Sequence, residues 1–419
     1  MSASSGQSGL STLMGVLRLQ PGQTPPLSLR RPVLLGGWLR QWLGGADAAG
    51  VPARVGTLFA LCGSAQADTA QRALAVAAAA PDDLSALSAL QGPQPTAMAR
   101  RLRLATVREH LQRFWMDGGG APEASPGAAS HGAASPGAVY PGLPHDMLAA
   151  SPLPRLMAAS ASADADAAQA LLDHTRDWID TVWLGQSGAL AATLAAFDAH
   201  GPAGLPGLDR AWREQIAARP QAPGSIWLQA LLGTENAQRA QALAHPAAVM
   251  LRADRETTLR HLALRLRTQD DFAQMPDIDG QPHECGPWLR LGDSAVTQRP
   301  LDAWTRLVMR WVDLARLLAP DGAHWLRSGA LRTGEHEGLA WTEMARGVLL
   351  HWAQLEPQAP DAAPDTPRRV RDFRVLAPTE WHLHPDGALA ASLAGLEASE
   401  ARRRIAVFDP CVPLENPDA

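Results

Sequence analysis

Apolar side chains recur at helical spacing along much of this chain. Leu104, Val107, Leu111, Phe114 and Trp115 repeat every three to four positions and predict an amphipathic helix over 96–116. A broader face of Trp304, Leu307, Val308, Trp311, Val312, Leu314, Ala315 and Leu318 predicts another over 301–318. Similar patterns fall at 167–184, 226–232 and 255–267, and an Ala-rich stretch at 65–80 has helical character. Short apolar runs at 14–19, 33–34, 348–350, 373–376 and 406–408 predict small strands. The balance is mainly α, an α+β chain with small peripheral sheets and no repeat period.

The pattern breaks over 117–165. Gly118-Gly119-Gly120 and two Ala-Ser-Pro-Gly repeats bring in residues that bury little apolar surface. This predicts a flexible insertion at 117–165 within one domain, whose parts are 1–116 and 166–419.

Composition adds bounds. Of 419 residues 46% are hydrophobic and 14 are Trp, enough for a sizeable core. All 37 basic residues are Arg, which coding bias explains. A net charge of -5, with Arg402-Arg403-Arg404 as the one compact basic run, leaves no nucleic-acid footprint. Three cysteines form no disulfide framework and fit a reducing compartment. The first residues lack the basic-then-apolar pattern of a signal peptide, and no apolar run reaches the ~18 residues of a membrane span. A cytoplasmic protein without membrane insertion is expected.

Cys62 stands in Leu61-Cys62-Gly63-Ser64-Ala65, and Cys411 in Phe408-Asp409-Pro410-Cys411-Val412-Pro413-Leu414. An isolated cysteine is usually a small buried hydrophobe, whereas a thiolate is a soft metal ligand. Four further segments lie in order with these two: Met14-Gly15-Val16-Leu17-Arg18, Glu284-Cys285-Gly286-Pro287-Trp288-Leu289-Arg290, 343–352 (from Glu343 to Trp352), and Ala377-Pro378-Thr379-Glu380-Trp381. Together the six resemble the motif series of the nickel-iron hydrogenase large subunit.

The departures are as informative as the matches. Met14 and Val16 stand where that family has a proton-carrying Glu and a His. The second cysteine of each pair is Ala65 or Leu414, and the C-terminal His is Pro417. The Arg shortly before the first pair falls at Ala60 or Leu61, and the cleavable C-terminal extension of the precursors is expected to be missing. In that family the lost cysteines bridge nickel and iron, and the kept ones are terminal nickel ligands. The resemblance therefore implies no hydrogen activation, no enzyme activity and no nickel. Arg346, Pro378 and Thr379 match the residues that surround the iron and donate hydrogen bonds to its cyanide ligands.

This combination resembles the HupK/HoxV-type hydrogenase maturation proteins. The resemblance implies a trimmed large-subunit-like fold and a scaffold that transiently holds iron carrying cyanide and carbon monoxide. Cys62 and Cys411 would be its metal ligands, in a geometry unlike that of the active hydrogenase. It also implies partners: the maturation chaperone, the iron-loading proteins and the large-subunit precursor. A metal-free docking protein built on the same fold is the alternative. Ordinary roles stand beside the special ones: an ion pair for Arg346, a turn hydroxyl for Thr379, and packing for Cys285, His351 and Trp352. His382 and His384 have a metal-compatible spacing, but no motif cysteine lies near them in sequence.

Overall fold

The computed structural model describes residues 15–20, 27–30, 37–59, 62–80, 96–117, 143–159, 164–199, 205–233, 255–291, 303–359, 361, 363, 366–412 and 414–415. Met14 and the strand expected at 33–34 lie outside them. The elements that position the site are β1 (Val16–Leu19), β2 (Leu27–Arg30), α1 (Val51–Leu58), α2 (Gly63–Ala78), α3 (Thr96–Gln112), α4 (Ala303–Leu318), β3 (Ser328–Gly334), β4 (Glu337–Met344), β5 (Gly347–Leu355), β6 (Val370–Leu376), α5 (Pro378–His382), α6 (Ala398–Val407) and β7 (Leu414–Glu415). Helices dominate, as the apolar spacing predicts.

β3, β4, β5 and β6 form an antiparallel sheet in sequence order. Side chains alternate between its faces, apart from irregularities at Arg332/Gly334 and Gln354/Leu355, and both faces are covered. Ala340, Met344, Leu349 and Ala353 pack with Ala65, Ala70, Ala73 and Ala77 of α2. Leu339, Trp341, Val348, Leu350 and Trp352 pack with Leu259, Leu262 and Leu266 of the helix Glu256–Thr268. Small alanines on α2 let the helix lie close to the strands. A second, three-stranded sheet runs β2-β1-β7, with β1 parallel to β7, so the two ends of the described chain lie side by side.

The remaining helices pack around α3 and α4. Trp115, Trp178, Trp183, Trp227 and Trp311 form one aromatic cluster there, with Trp183 and Trp311 edge-on at 5.2 Å between centroids. Such edge-to-face pairs add to what burial alone contributes.

Two expectations are corrected. The run at 406–408 is no strand: residues up to Val407 finish α6, because the helical spacing through 398–405 carries the short apolar run with it. The insertion is not flexible over all of 117–165: His145–Ala150 and Leu153–Ala159 are helices, and buried Leu153 and Leu156 anchor the latter to the core. The amphipathic helix expected over 96–116 is found as α3, and it buries polar side chains as well as apolar ones. Arg103, Thr106, Glu109 and His110 are all buried and each has a partner: the Leu317 and Ala319 carbonyls, the Leu102 carbonyl, Arg346 and Asp313 respectively. Buried polar groups are tolerated when paired in this way.

Candidate metal centre

Cys62 caps the N-terminus of α2. Gly63 follows because α1 passes too close for a side chain: a Cβ there would lie 2.4 Å from the Gly56 carbonyl oxygen. The cysteine is thereby pinned at the N-terminal end of a sixteen-residue helix, where its side chain makes no capping hydrogen bond. Arg346 sits in the two-residue turn joining β4 to β5. Pro378 and Thr379 open α5 directly after β6, with Pro378 at the helix start, where its missing N–H costs nothing. Cys411 follows the end of α6, beyond Asp409, whose backbone is left-handed (φ 52°).

These four stretches meet. Cys62, Arg346, Pro378, Thr379 and Cys411 line one pocket together with Phe59, Gln66, Met344 and Ala377. The pocket is tight, with a cavity volume of about 10 Å³, room for roughly one water-sized group. Cys62 is buried and Cys411 half-buried. Thr379 Oγ1 lies 2.8 Å from Cys411 Sγ, and Gln66 Nε2 donates to Cys62 Sγ at 3.6 Å.

Beneath the sulfurs is a charged layer. Arg346 donates from Nη1 to Glu109 Oε2 at 2.7 Å and from Nε to the Asp409 carbonyl at 3.0 Å. The Asp409 carboxylate pairs with Arg113, Arg310 and Arg346. Within this group of five, three guanidiniums face two carboxylates. Burial pushes the Asp409 carboxyl up, but the three arginines outweigh it and hold the group below its ordinary range. Burial raises Glu109, with Arg346 opposing. For Cys62, burial and then the charges of Glu109 and Cys411 push the thiol up to about 12, against Arg346 and the Gln66 hydrogen bond. Without a metal the Cys62 sulfur is therefore a thiol at neutral pH.

Sequence reasoning missed Gln66, Glu109, Asp409 and the closeness of His351. Glu109 in particular is a buried acid at the site, contributed by a helix that carries none of the six motifs. Asp409 lay inside a quoted motif, and its place before Pro410-Cys411 was the one available signal. The packing role expected of Cys285 fits what is found: it is buried, its N–H donates to buried His382 Nε2 at 3.2 Å, and His382 stacks on Trp288. His384 accepts from the Asp386 N–H instead. Among the described residues no group of three or more His, Cys, Asp or Glu is arranged to hold a metal ion. No helix among them is long and apolar enough to cross a membrane.

The site thus defines a class: a helical protein with two thiols from distant segments facing one largely apolar pocket, backed by a buried charged layer. Similarity to known proteins narrows it. No family model matches the chain. The hydrogenase expression/formation protein HoxV of Cupriavidus necator is 32% identical, over 96% of this chain and 94% of that protein. HupK of Bradyrhizobium diazoefficiens is 28% identical over 46% of this chain and 53% of its own length. The chain belongs to the HoxV family of hydrogenase expression/formation proteins. Among solved structures, a [NiFeSe] hydrogenase variant from Desulfovibrio vulgaris Hildenborough overlaps 90% of each chain at 13% identity, with a TM-score of 0.46. An NAD+-reducing [NiFe]-hydrogenase gives 0.41 at 14% identity.

Proposed function

We propose that this chain is a non-catalytic assembly factor for nickel-iron hydrogenase. It transiently holds an iron–cyanide–carbonyl unit through Cys62 and Cys411 before the unit passes to the large-subunit precursor. The carrying observation is convergence: five residues from four separate motifs line one pocket. The chemistry of the donor set fits such a cargo. Two thiolates are soft ligands for iron, and the remaining coordination positions belong to diatomic ligands that arrive with the metal. Cyanide nitrogens are anionic acceptors, and the Arg346 guanidinium and Thr379 hydroxyl at the pocket wall are suitable donors. Membership of an expression/formation family supports the same role.

Loading releases the Cys62 thiol proton, because ligands bind deprotonated and this buried sulfur starts as a thiol. The metal itself lowers the thiol pKa, and Gln66 and Arg346 are positioned to stabilise the resulting charge. The cargo's cytoplasmic donors and acceptors, the maturation chaperone, the iron-loading proteins and the precursor, are the partners this reading requires.

One observation favours a second reading. The described residues supply no three-ligand set, so a bare ion has little to hold it here. A metal-free docking protein that recruits the same partners fits that fact. Anaerobic purification from cells expressing the iron-loading machinery, followed by infrared spectroscopy, separates the two. Carbonyl and cyanide bands that vanish in Cys62→Ser and Cys411→Ser, together with hydrogenase assembly, are the expected result. No bands in the wild-type protein, with assembly intact in both variants, leaves the docking role standing.

A further inference from the structure

Gln66 and His351 lie outside the set of residues matched to any hydrogenase ligand role, yet they form a short polar line that ends on one sulfur. Gln66 occupies the first turn of α2 and is 1% exposed; His351 lies on β5 and is fully buried. Gln66 Nε2 is 3.6 Å from Cys62 Sγ, while its Oε1 is 2.8 Å from His351 Nε2.

An amide can be turned either way, so its direction has to be earned from its neighbours. With Oε1 toward the histidine, Nε2 of the ring carries the proton and donates. The other ring nitrogen, Nδ1, is then a bare acceptor, and it has no hydrogen-bond partner. With the amide reversed, Nε2 would have to accept, which moves the proton to Nδ1. That leaves a buried N–H without an acceptor, a costlier defect than a spare lone pair. A doubly protonated ring is excluded by burial, which lowers the His351 pKa to about 3. The neutral histidine therefore fixes the amide with its N–H side to the sulfur.

We infer that Gln66 is a positioning residue for Cys62: it donates a hydrogen bond that prepares this sulfur as a ligand, and His351 locks the amide in the donating sense. The pair is unlike the partner of the other sulfur. Cys411 meets a hydroxyl that can donate or accept, whereas Cys62 meets a donor only. The two anchors are thus not equivalent, and the buried one is the one with a fixed donor. This deepens the reading above, since it concerns how one proposed anchor is prepared. Its test is made without metal, so that each idea can fail alone.

The test is the alkylation rate of Cys62 by iodoacetamide in the metal-free full-length protein, read by peptide mass spectrometry with Cys411 in the same molecules as reference. A donor stabilises the attacking thiolate. In Gln66→Leu, close in size but without a donor, Cys62 reacts about two- to threefold more slowly, because the thiolate fraction lost with one ordinary hydrogen bond is partly offset by the greater nucleophilicity of a more basic thiolate, while Cys411 keeps its rate. His351→Phe slows Cys62 less, because the released amide donates part of the time. A purely structural role has the opposite sign: loosened packing exposes Cys62 and speeds its alkylation. An unchanged or faster Cys62 in folded Gln66→Leu overturns the inference, whatever the infrared spectrum of the loaded protein shows. Infrared bands retained in Gln66→Leu but shifted to lower carbonyl frequency, as expected for a more electron-donating thiolate, support it further; bands that do not shift count against it.

Discussion

Replacing Asp409 by asparagine removes one charge and leaves the backbone alone, since asparagine tolerates the left-handed conformation (φ 52°) as well as aspartate does. The change isolates what the carboxylate does for the layer beneath the sulfurs. Its three guanidinium partners lose unequally. The Arg113 side chain is 23% exposed and also donates to the Pro410 carbonyl at 2.5 Å, so water and that carbonyl take up part of the loss. Arg346 keeps Glu109 at 2.7 Å. The Arg310 side chain is 3% exposed and its pairing is with Asp409, so most of the cost falls there. Breaking a buried pair by removing one partner costs about 3–5 kcal/mol, and the partial compensation at Arg113 and Arg346 sets the expectation at the lower end, about 3 kcal/mol. Guanidinium denaturation followed by tryptophan fluorescence measures it, with the slope expected to stay unchanged. Arg310→Met added to Asp409→Asn removes the stranded charge and recovers much of the loss. A loss below about 1 kcal/mol, or no recovery in the double variant, would refute the picture of a dry, mutually dependent ion cluster.

Two further outcomes are expected. His382 is held neutral, first by burial and then by Arg306, with its pKa lowered to about 3. Its contribution to stability is complete above the unfolded value of about 6.5 and is lost as pH falls toward about 3. Between about pH 7 and about pH 5 the wild-type protein therefore loses about 2 kcal/mol through this residue, and His382→Gln does not; parallel pH profiles for the two proteins would rule this out. Gly347, beside Arg346, has φ +136° and would carry a Cβ 1.9 Å from the Cys285 carbonyl oxygen. Gly347→Ala is expected to cost more than about 3 kcal/mol in a denaturation experiment, and a loss under about 1 kcal/mol would show that the turn is far softer than it looks.

The candidate site was legible where chemistry is written in short motifs. Cys62, Arg346, Pro378, Thr379 and Cys411 were each picked out in sequence, and they share one pocket. What was not legible depends on distant partners. Glu109 reads as the polar flank of an amphipathic helix, and only Arg346, 237 positions away, makes its burial affordable. Gln66 reads as one more residue of an alanine-rich helix until β5 brings His351 against it. The strands β3 and β4 were missed for a related reason. β4 is covered on both faces and β3 is a partly exposed edge strand, so neither shows the one-sided alternation that marks a strand, and Gly, Arg and Glu interrupt their apolar runs. Helices fared better because their apolar faces are long and periodic, and even there the short run at 406–408 was too brief to tell strand from helix.

The pocket has a consequence for how the protein comes into being on the ribosome. Its walls are drawn from the start of α2, the β4–β5 turn, the start of α5 and the segment after α6. A nascent chain that has emerged only as far as the sheet presents a single sulfur and no hydroxyl opposite it. On the proposed role, the pair of sulfurs is complete only when Cys411 docks beside Thr379, so capacity for cargo would arise late and all at once.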